Sequence, residues 1–153
     1  MADFEIPSPG EVFWFKDPTV AAGKHDRHPH LAVCLARSGA EVICVTISSN
    51  LDRLTDLDES ADYETLDIGA HPFISRTCAA SCRDAKSVPV ALLKRMFEQF
   101  AEEGYKIRKG AQIDFAKLKS VVEKLLASAE VREALKKEIR HGLADILNAA
   151  KRT

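Results

Sequence analysis

Apolar runs separated by turns that contain glycine or proline fill the first half of the chain. Residues 11–15 are rich in β-forming side chains and predict a strand. Two longer apolar runs, residues 30–36 and 41–47, are separated by a short segment that includes Gly39, and this arrangement predicts a β-hairpin. Because both runs are almost continuously hydrophobic, we expect them to be buried, central strands.

The following stretch contains fewer apolar residues and shorter runs. Residues 50–67 are acidic and contain almost no apolar cluster, which predicts a solvated loop. Residues 69–76 and 86–90 predict two further short strands. About five short strands with this spacing are typical of a small β-barrel.

The hydrophobic period changes to that of a helix after Pro89. Apolar residues recur at helical spacing until Gly104 and predict a first helix, which is followed by a basic linker at residues 105–110. Two amphipathic helices are predicted beyond the linker, with Asp114 and Ser128 as their N-terminal caps. We therefore expect an α+β fold with two parts: a barrel and its packed helix in residues 1–103, and a C-terminal helical hairpin in residues 111–153.

Composition and charge exclude several classes of protein. With 46% hydrophobic and 29% charged residues, the chain is globular and not disordered. It has neither a secretory signal nor the roughly 20 consecutive apolar residues of a membrane helix, so we expect a cytoplasmic protein with no membrane partner. Residues 1–86 carry 8 basic and 14 acidic residues, whereas residues 87–153 carry 14 basic and 9 acidic ones. A polyanion would therefore be attracted mainly by the second half.

The four cysteines have two interpretations. Without an export signal, reduced thiols are favoured, and Cys34 and Cys44 lie in apolar runs where a cysteine behaves as a small hydrophobic residue. Alternatively, His25 and His28 combine with Cys78 and Cys82 to form a zinc site. The spacing of this set is loose, and we expect neither a metal nor another cofactor.

Polar and basic side chains near the predicted strand ends are candidates for phosphate chemistry. Ser48 and Ser49 end the second strand of the hairpin, where hydroxyl groups beside a cation can bind a phosphate or orient a ribose. Arg76, Arg83 and Lys86 form a sparse basic set, and such groups stabilise the charge of a phosphoryl transition state. Each of them is also compatible with an ordinary surface residue.

The order of these motifs resembles the MazF/PemK-like toxin family. Gly10-Glu11-Val12-Phe13-Trp14-Phe15 and the following Asp17-Pro18-Thr19 look like the opening strand and turn of these toxins. His28-Pro29 stands where the family has Arg-Pro, and Lys86-Ser87-Val88 is similar to a later family strand. The resemblance covers roughly residues 9–100 and does not extend to the last two helices.

The resemblance implies an SH3-like β-barrel, usually dimeric, that cleaves single-stranded RNA without a metal and is blocked by a cognate antitoxin protein. In this scheme His28 is the general base or acid for the 2′-hydroxyl, and Ser48 orients the ribose or the phosphate. Arg76 or Arg83, together with Lys86, stabilises the charge of the transition state. The expected RNA-binding residues are Arg27, His30, Ser49 and Trp14.

The sequence leaves a second function open. An SH3-like module that binds nucleic acid or protein without catalysis would also explain the acidic first half and the histidine in place of the family arginine. In that case the helical tail is a docking element. A third interpretation makes the tail a built-in segment that neutralises the toxin.

Overall fold

The computed structural model describes residues 6–15, 30–48, 62–74, 76–83, 85–102 and 108–151. The strands within them are β1 (Glu11–Phe15), β2 (His30–Ser38), β3 (Glu41–Ser48), β4 (Tyr63–Leu66), β5 (Cys78–Ser81), β6 (Lys86–Pro89) and β7 (Arg108–Gln112). The helices are α1 (Val90–Glu102), α2 (Phe115–Ala127) and α3 (Glu133–Lys151). The predicted α+β class is thereby confirmed.

The strands form one antiparallel sheet in the order β4-β5-β3-β2-β1-β7. β3 is shared along its length, because its first half pairs with β6 and its last two residues pair with β5. Within the described ranges the two outer strands, β4 and β7, do not pair with each other, so the sheet there is open. The SH3-like barrel thus stays a prediction.

Both faces of the sheet are covered by helices, which explains the nearly continuous hydrophobicity of β2 and β3. We call the cluster between the sheet and α2 and α3 the major core; among its members are Val33, Ile43, Val45, Leu118, Val121, Leu125 and Ile139. We call the cluster on the opposite face, beside α1, the minor core; among its members are Phe13, Ala32, Cys34, Val42, Cys44, Leu93 and Met96. Residues on both sides of the expected domain boundary share the major core, and the boundary itself stays a prediction.

One β-bulge and one glycine bring α3 close to β2. The register between β2 and β3 shifts between Cys34 and Ala36, which leaves Leu35 as an extra residue. Leu35 and Ala36 therefore both belong to the major core, on the side of α3. A Cβ atom added to Gly142 would lie 2.1 Å from the carbonyl oxygen of Leu35 and 2.8 Å from Cβ of Ala36. The absence of a side chain at Gly142 thus allows the two backbones to approach.

The predicted hairpin and the three predicted helices are confirmed, and the predicted strand at 86–90 is present as β6. The expected strand at residues 69–76 is wrong: its described residues form turns, with Gly69 at φ +107°, and the strand lies later, at β5. The expected loop at residues 50–67 is wrong at its end, where β4 pairs with β5. Residues 50–61 lie outside the described residues.

Two further details of the C-terminal half differ from expectation. The end of the predicted basic linker belongs to β7, which pairs with β1. Asp114 does occupy the N-cap of α2, but its side chain makes no capping hydrogen bond. Ser128 ends α2 and does not begin α3; its hydroxyl accepts a hydrogen bond from the Glu130 N–H at 3.2 Å.

Candidate functional site

The candidate site lies at the ends of central strands, where β1 and β3 end and β2 begins. We call this row of strand ends the sheet edge. Phe15 pairs with His30, Leu31 pairs with Ile47, and Ser48 pairs with Ala79. Paired residues from four adjacent strands, β1, β2, β3 and β5, therefore lie side by side in one row across the sheet. The row brings the backbone of His30 beside the end of β3, where Ser48 lies.

Ser48 and Lys86 lie on the same face of the sheet but at different positions along the direction of the strands. Side chains alternate along a strand, and Ile47 belongs to the major core, so Ser48 lies on the opposite face, with Cys44. Lys86 pairs with Cys44 and shares that face. Four residues separate Cys44 from Ser48, or about 13 Å along an extended strand. Only a long, flexible side chain such as lysine can cover part of that distance.

Arg76 belongs to the same edge as Ser48. It lies just before Cys78, the first residue of β5, and Ala79 in that strand pairs with Ser48. Arg76 is exposed. The fold thus gathers one predicted hydroxyl group and one predicted guanidinium group at a single sheet edge.

Arg83 lies elsewhere, on the side of α2 and α3. Its guanidinium group forms ion pairs with Asp62 at 3.7 Å and with Glu130 at 3.2 Å. It borders a cleft of about 650 Å³ that is also lined by Ser120 and Lys124. Because Lys86 lies on the α1 face, the structure separates these two predicted cations.

Trp14 is part of an aromatic group next to this edge. Its ring centroid lies 5.9 Å from that of Phe73, which in turn lies 5.1 Å from the ring of His71. The Phe73 N–H donates to Nδ1 of His71 at 3.1 Å, and His71 is only 2% exposed. Trp14 and Phe73 are half-buried, so each ring combines core packing with partial access from solvent.

A polar cluster around Glu64, a residue that the sequence placed in a solvated loop, joins β4 to α2. The carboxylate of Glu64 accepts hydrogen bonds from the Ser120 hydroxyl and from Nζ of Lys117 at 3.2 Å, and it forms an ion pair with Lys124 at 3.1 Å. Burial raises the pKa of Glu64, but the hydrogen bonds from Ser120, Lys124 and Lys117 outweigh it and hold the pKa below its ordinary value. Glu64 lies on β4, pairs with Ala80 of the major core and anchors α2 to that face of the sheet.

Of the four residues of the alternative zinc site, the structure describes Cys78 and Cys82 but not His25 and His28. Burial raises the pKa of the Cys78 thiol, and it raises that of Cys82 to about 12. The part of the chain that the structure describes contains no group of three or more His, Cys, Asp or Glu side chains able to hold a metal ion. His25 lies outside that part.

Several predicted site residues also lie outside the described residues, namely Arg27, His28 and Ser49. For His30 the structure describes the strand position only. The sequence interpretation assigned no site role to His71 or Glu64, because it placed His71 in a predicted strand and Glu64 among the carboxylates of a solvated loop.

Comparison with known proteins assigns no family. No protein-family model matches the chain, and no curated protein sequence matches it. Of the helices that the structure describes, none combines the length and the apolar character needed to cross a membrane. The resemblance to the toxin family thus stays a prediction that rests on the short motifs.

Proposed function

We propose that this protein is a toxin-like endoribonuclease that cleaves single-stranded RNA without a metal. The observation that carries the proposal is the pairing register, which aligns Phe15, His30, Ser48 and Ala79 across one edge of the sheet. His28 lies outside the described residues and precedes His30, the first residue of β2, by two positions in the sequence.

The proposed reaction needs a base, an orienting group and a cation. His28 is the general base or acid: as the base, it removes the proton from a ribose 2′-hydroxyl, whose oxygen attacks the adjacent phosphorus to form a 2′,3′-cyclic phosphate. The bond from phosphorus to the 5′-oxygen breaks, and the 5′-oxygen takes up a proton from water or from the protonated imidazole. Ser48 orients the ribose or the phosphate. Arg76, at the same edge, stabilises the added negative charge on the phosphoryl oxygens, and Lys86 supports it from the α1 face. Trp14 stacks on a base, with Arg27, His30 and Ser49 as further RNA contacts.

The finer features of the fold belong to the same proposal. An SH3-like barrel is supported by the bulge in β2, which bends the strand, and by the division of β3 between two partner strands. We further propose a cytoplasmic homodimer whose site is blocked by a cognate antitoxin protein.

The test is incubation of the purified protein with long single-stranded RNA in the presence of EDTA. Wild-type protein should give discrete fragments, and His28→Ala should lose cleavage by about 100-fold or more, the usual contribution of a general acid–base group. His141→Ala is the matched control, because His141 is an exposed imidazole on α3, away from the sheet edge. Equal cleavage by wild type and His28→Ala would refute the role of His28.

A non-catalytic module that binds nucleic acid or protein is the second candidate. The observation that favours it is the engagement of Arg83 by Asp62 and Glu130, which removes one predicted cation from the phosphate. In this case the RNA stays intact in EDTA, and binding alone is measured by fluorescence anisotropy of a labelled single strand. Retention of RNA binding without any fragments would select this candidate.

A further inference from the structure

Two of the four buried cysteines face each other across the centre of the sheet. Cys34 on β2 and Cys44 on β3 are direct partners in the antiparallel register. Both belong to the minor core, so their side chains lie on the same face of the sheet, and both are 0% exposed. This juxtaposition could not be inferred from two cysteines in separate apolar runs.

The geometry of such a pair is compatible with a disulfide. Directly opposed residues of antiparallel strands have Cα atoms about 4.5–5.5 Å apart. Disulfides are found at Cα separations of about 4.4–6.8 Å. The turn at Gly39 fixes the register, because Ser38 pairs with Glu41 on either side of it, and Cys34 and Cys44 therefore occupy directly opposed positions on the two strands.

We propose that Cys34 and Cys44 form an oxidisable dithiol, a modification site that closes into a cross-strand disulfide. The oxidant is a small disulfide such as oxidised glutathione. One cysteine thiolate attacks a sulfur atom of the oxidant, forms a mixed disulfide and releases one glutathione thiol. The second cysteine then attacks the protein sulfur of the mixed disulfide and releases the second glutathione. Two protein thiols are oxidised, and one oxidant disulfide is reduced to two thiols.

The other two cysteines provide an internal control. Cys78 pairs with Leu66 across β4 and β5, whereas Cys82 lies beyond the end of β5. Each of these sulfur atoms contacts a backbone carbonyl oxygen, that of Leu66 at 3.7 Å and that of Ala80 at 3.6 Å. The Cys34 sulfur makes the same kind of contact, with the Pro7 oxygen at 3.6 Å, so only the strand register distinguishes the two pairs. The register thus aligns the first pair of cysteines and not the second.

The experiment equilibrates the full chain with a reduced and oxidised glutathione buffer, in native buffer and in urea, followed by alkylation and digestion with trypsin. Cleavage after Arg37 puts Cys34 in the peptide of residues 28–37 and Cys44 in that of residues 38–53. Cys78 and Cys82 stay together in the peptide of residues 77–83. A Cys34–Cys44 disulfide therefore joins two peptides, while a Cys78–Cys82 disulfide gives one closed peptide.

We expect the joined pair of peptides from the native sample. The equilibrium constant for the Cys34–Cys44 disulfide should be about 100-fold higher in native buffer than in urea. In urea the disulfide must close the short loop between the two cysteines at a cost in chain entropy, whereas the folded hairpin has already brought them together. Because both thiols are buried, samples are also refolded from urea into the same buffer, so that equilibrium is approached from both sides.

Three results would overturn the proposal: no protein disulfide at equilibrium, closure of the 77–83 peptide in place of the joined pair, or a native constant no higher than that in urea. The double variant Cys78→Ala/Cys82→Ala should retain the joined peptides. Because the peptide map is made on wild-type protein, the result does not depend on whether a Cys34→Ala chain folds.

Discussion

The close approach of α3 to β2 makes Gly142→Ala a sharp test of the packing. In an exposed helix this substitution stabilises by about 1 kcal/mol, because alanine has the higher helix propensity. Here the new methyl group would lie 2.1 Å from the Leu35 carbonyl oxygen, well inside van der Waals contact. Leu35 is the unpaired residue of the bulge, but its neighbours Cys34 and Ala36 both pair with β3, which limits how far the oxygen can retreat. The helix must therefore move outward by about 1 Å, judged from carbon contact distances.

The cost of that displacement follows from the major core. Leu135, Ile139, Leu143 and Ile146 of α3 pack in or against it. Burial of such side chains is worth about 1.5–3 kcal/mol each, and a gap of 0.5–1 Å forfeits roughly a quarter to a half of each contact. Four side chains, less the gain in propensity, give a net loss of about 0.5–5 kcal/mol in the free energy of unfolding, a range that includes the roughly 1–3 kcal/mol of other overpacked cores.

Urea unfolding followed by far-ultraviolet circular dichroism measures this loss. The matched control is Ala144→Gly, at an exposed position of the same helix, which should be destabilised by about 1 kcal/mol. Relative to glycine, alanine is thus expected to raise the free energy of unfolding at position 144 and to lower it at position 142. A Gly142→Ala protein that is more stable than wild type would refute the close approach.

Three further predictions concern separate parts of the fold. Glu64→Gln should lower the free energy of unfolding by about 1–3 kcal/mol at neutral pH. The folded-state pKa of Glu64 is below the ordinary value of 4.5. The greater stability of the wild type is therefore fully present above pH 4.5 and is lost as the pH falls through the folded-state pKa. Urea unfolding at several pH values measures this difference, and a difference that persisted in acid would contradict the network. Gly69→Ala should cost about 1–2 kcal/mol from its φ of +107° alone, since no atom lies within 4 Å of the added Cβ; unchanged thermal unfolding would argue against the turn. Because burial raises the pKa of Cys82 to about 12, alkylation of this thiol at neutral pH should be slow in the folded protein and rapid in urea, and equal rates by peptide mass spectrometry would disprove its burial.

The elements that the sequence predicted are those whose hydrophobic pattern reflects burial. β2 and β3 are covered on both faces, and α1, α2 and α3 each bury one face, so their apolar positions repeat with the expected period. β5 was misplaced because its residues, Cys-Ala-Ala-Ser, are small and contain no strong β-former. β7 was interpreted as a linker because Arg-Lys-Gly-Ala-Gln is an edge strand without an apolar run.

The candidate site was less predictable than the fold. That Ser48 and Arg76 share an edge depends on the pairing of β3 with β5, and the sequence interpretation had placed the strand elsewhere. The pairing of Arg83 with Glu130 connects residues 47 positions apart and leaves no local signal. Glu64 lay in a run of carboxylates, and only the packing of α2 distinguishes it from its neighbours.

The position of β7 has a consequence for synthesis on the ribosome. β1 lies between β2 and β7, and Phe13 pairs with Arg108, so one edge of β1 is completed by a segment made long after it. Until that segment emerges, the nascent sheet presents the unpaired backbone of an aromatic strand, the kind of edge to which other chains add. A chain released before residue 108 retains that edge permanently. Emergence of β7, and not formation of the β2–β3 hairpin, is therefore the event that covers this side of β1.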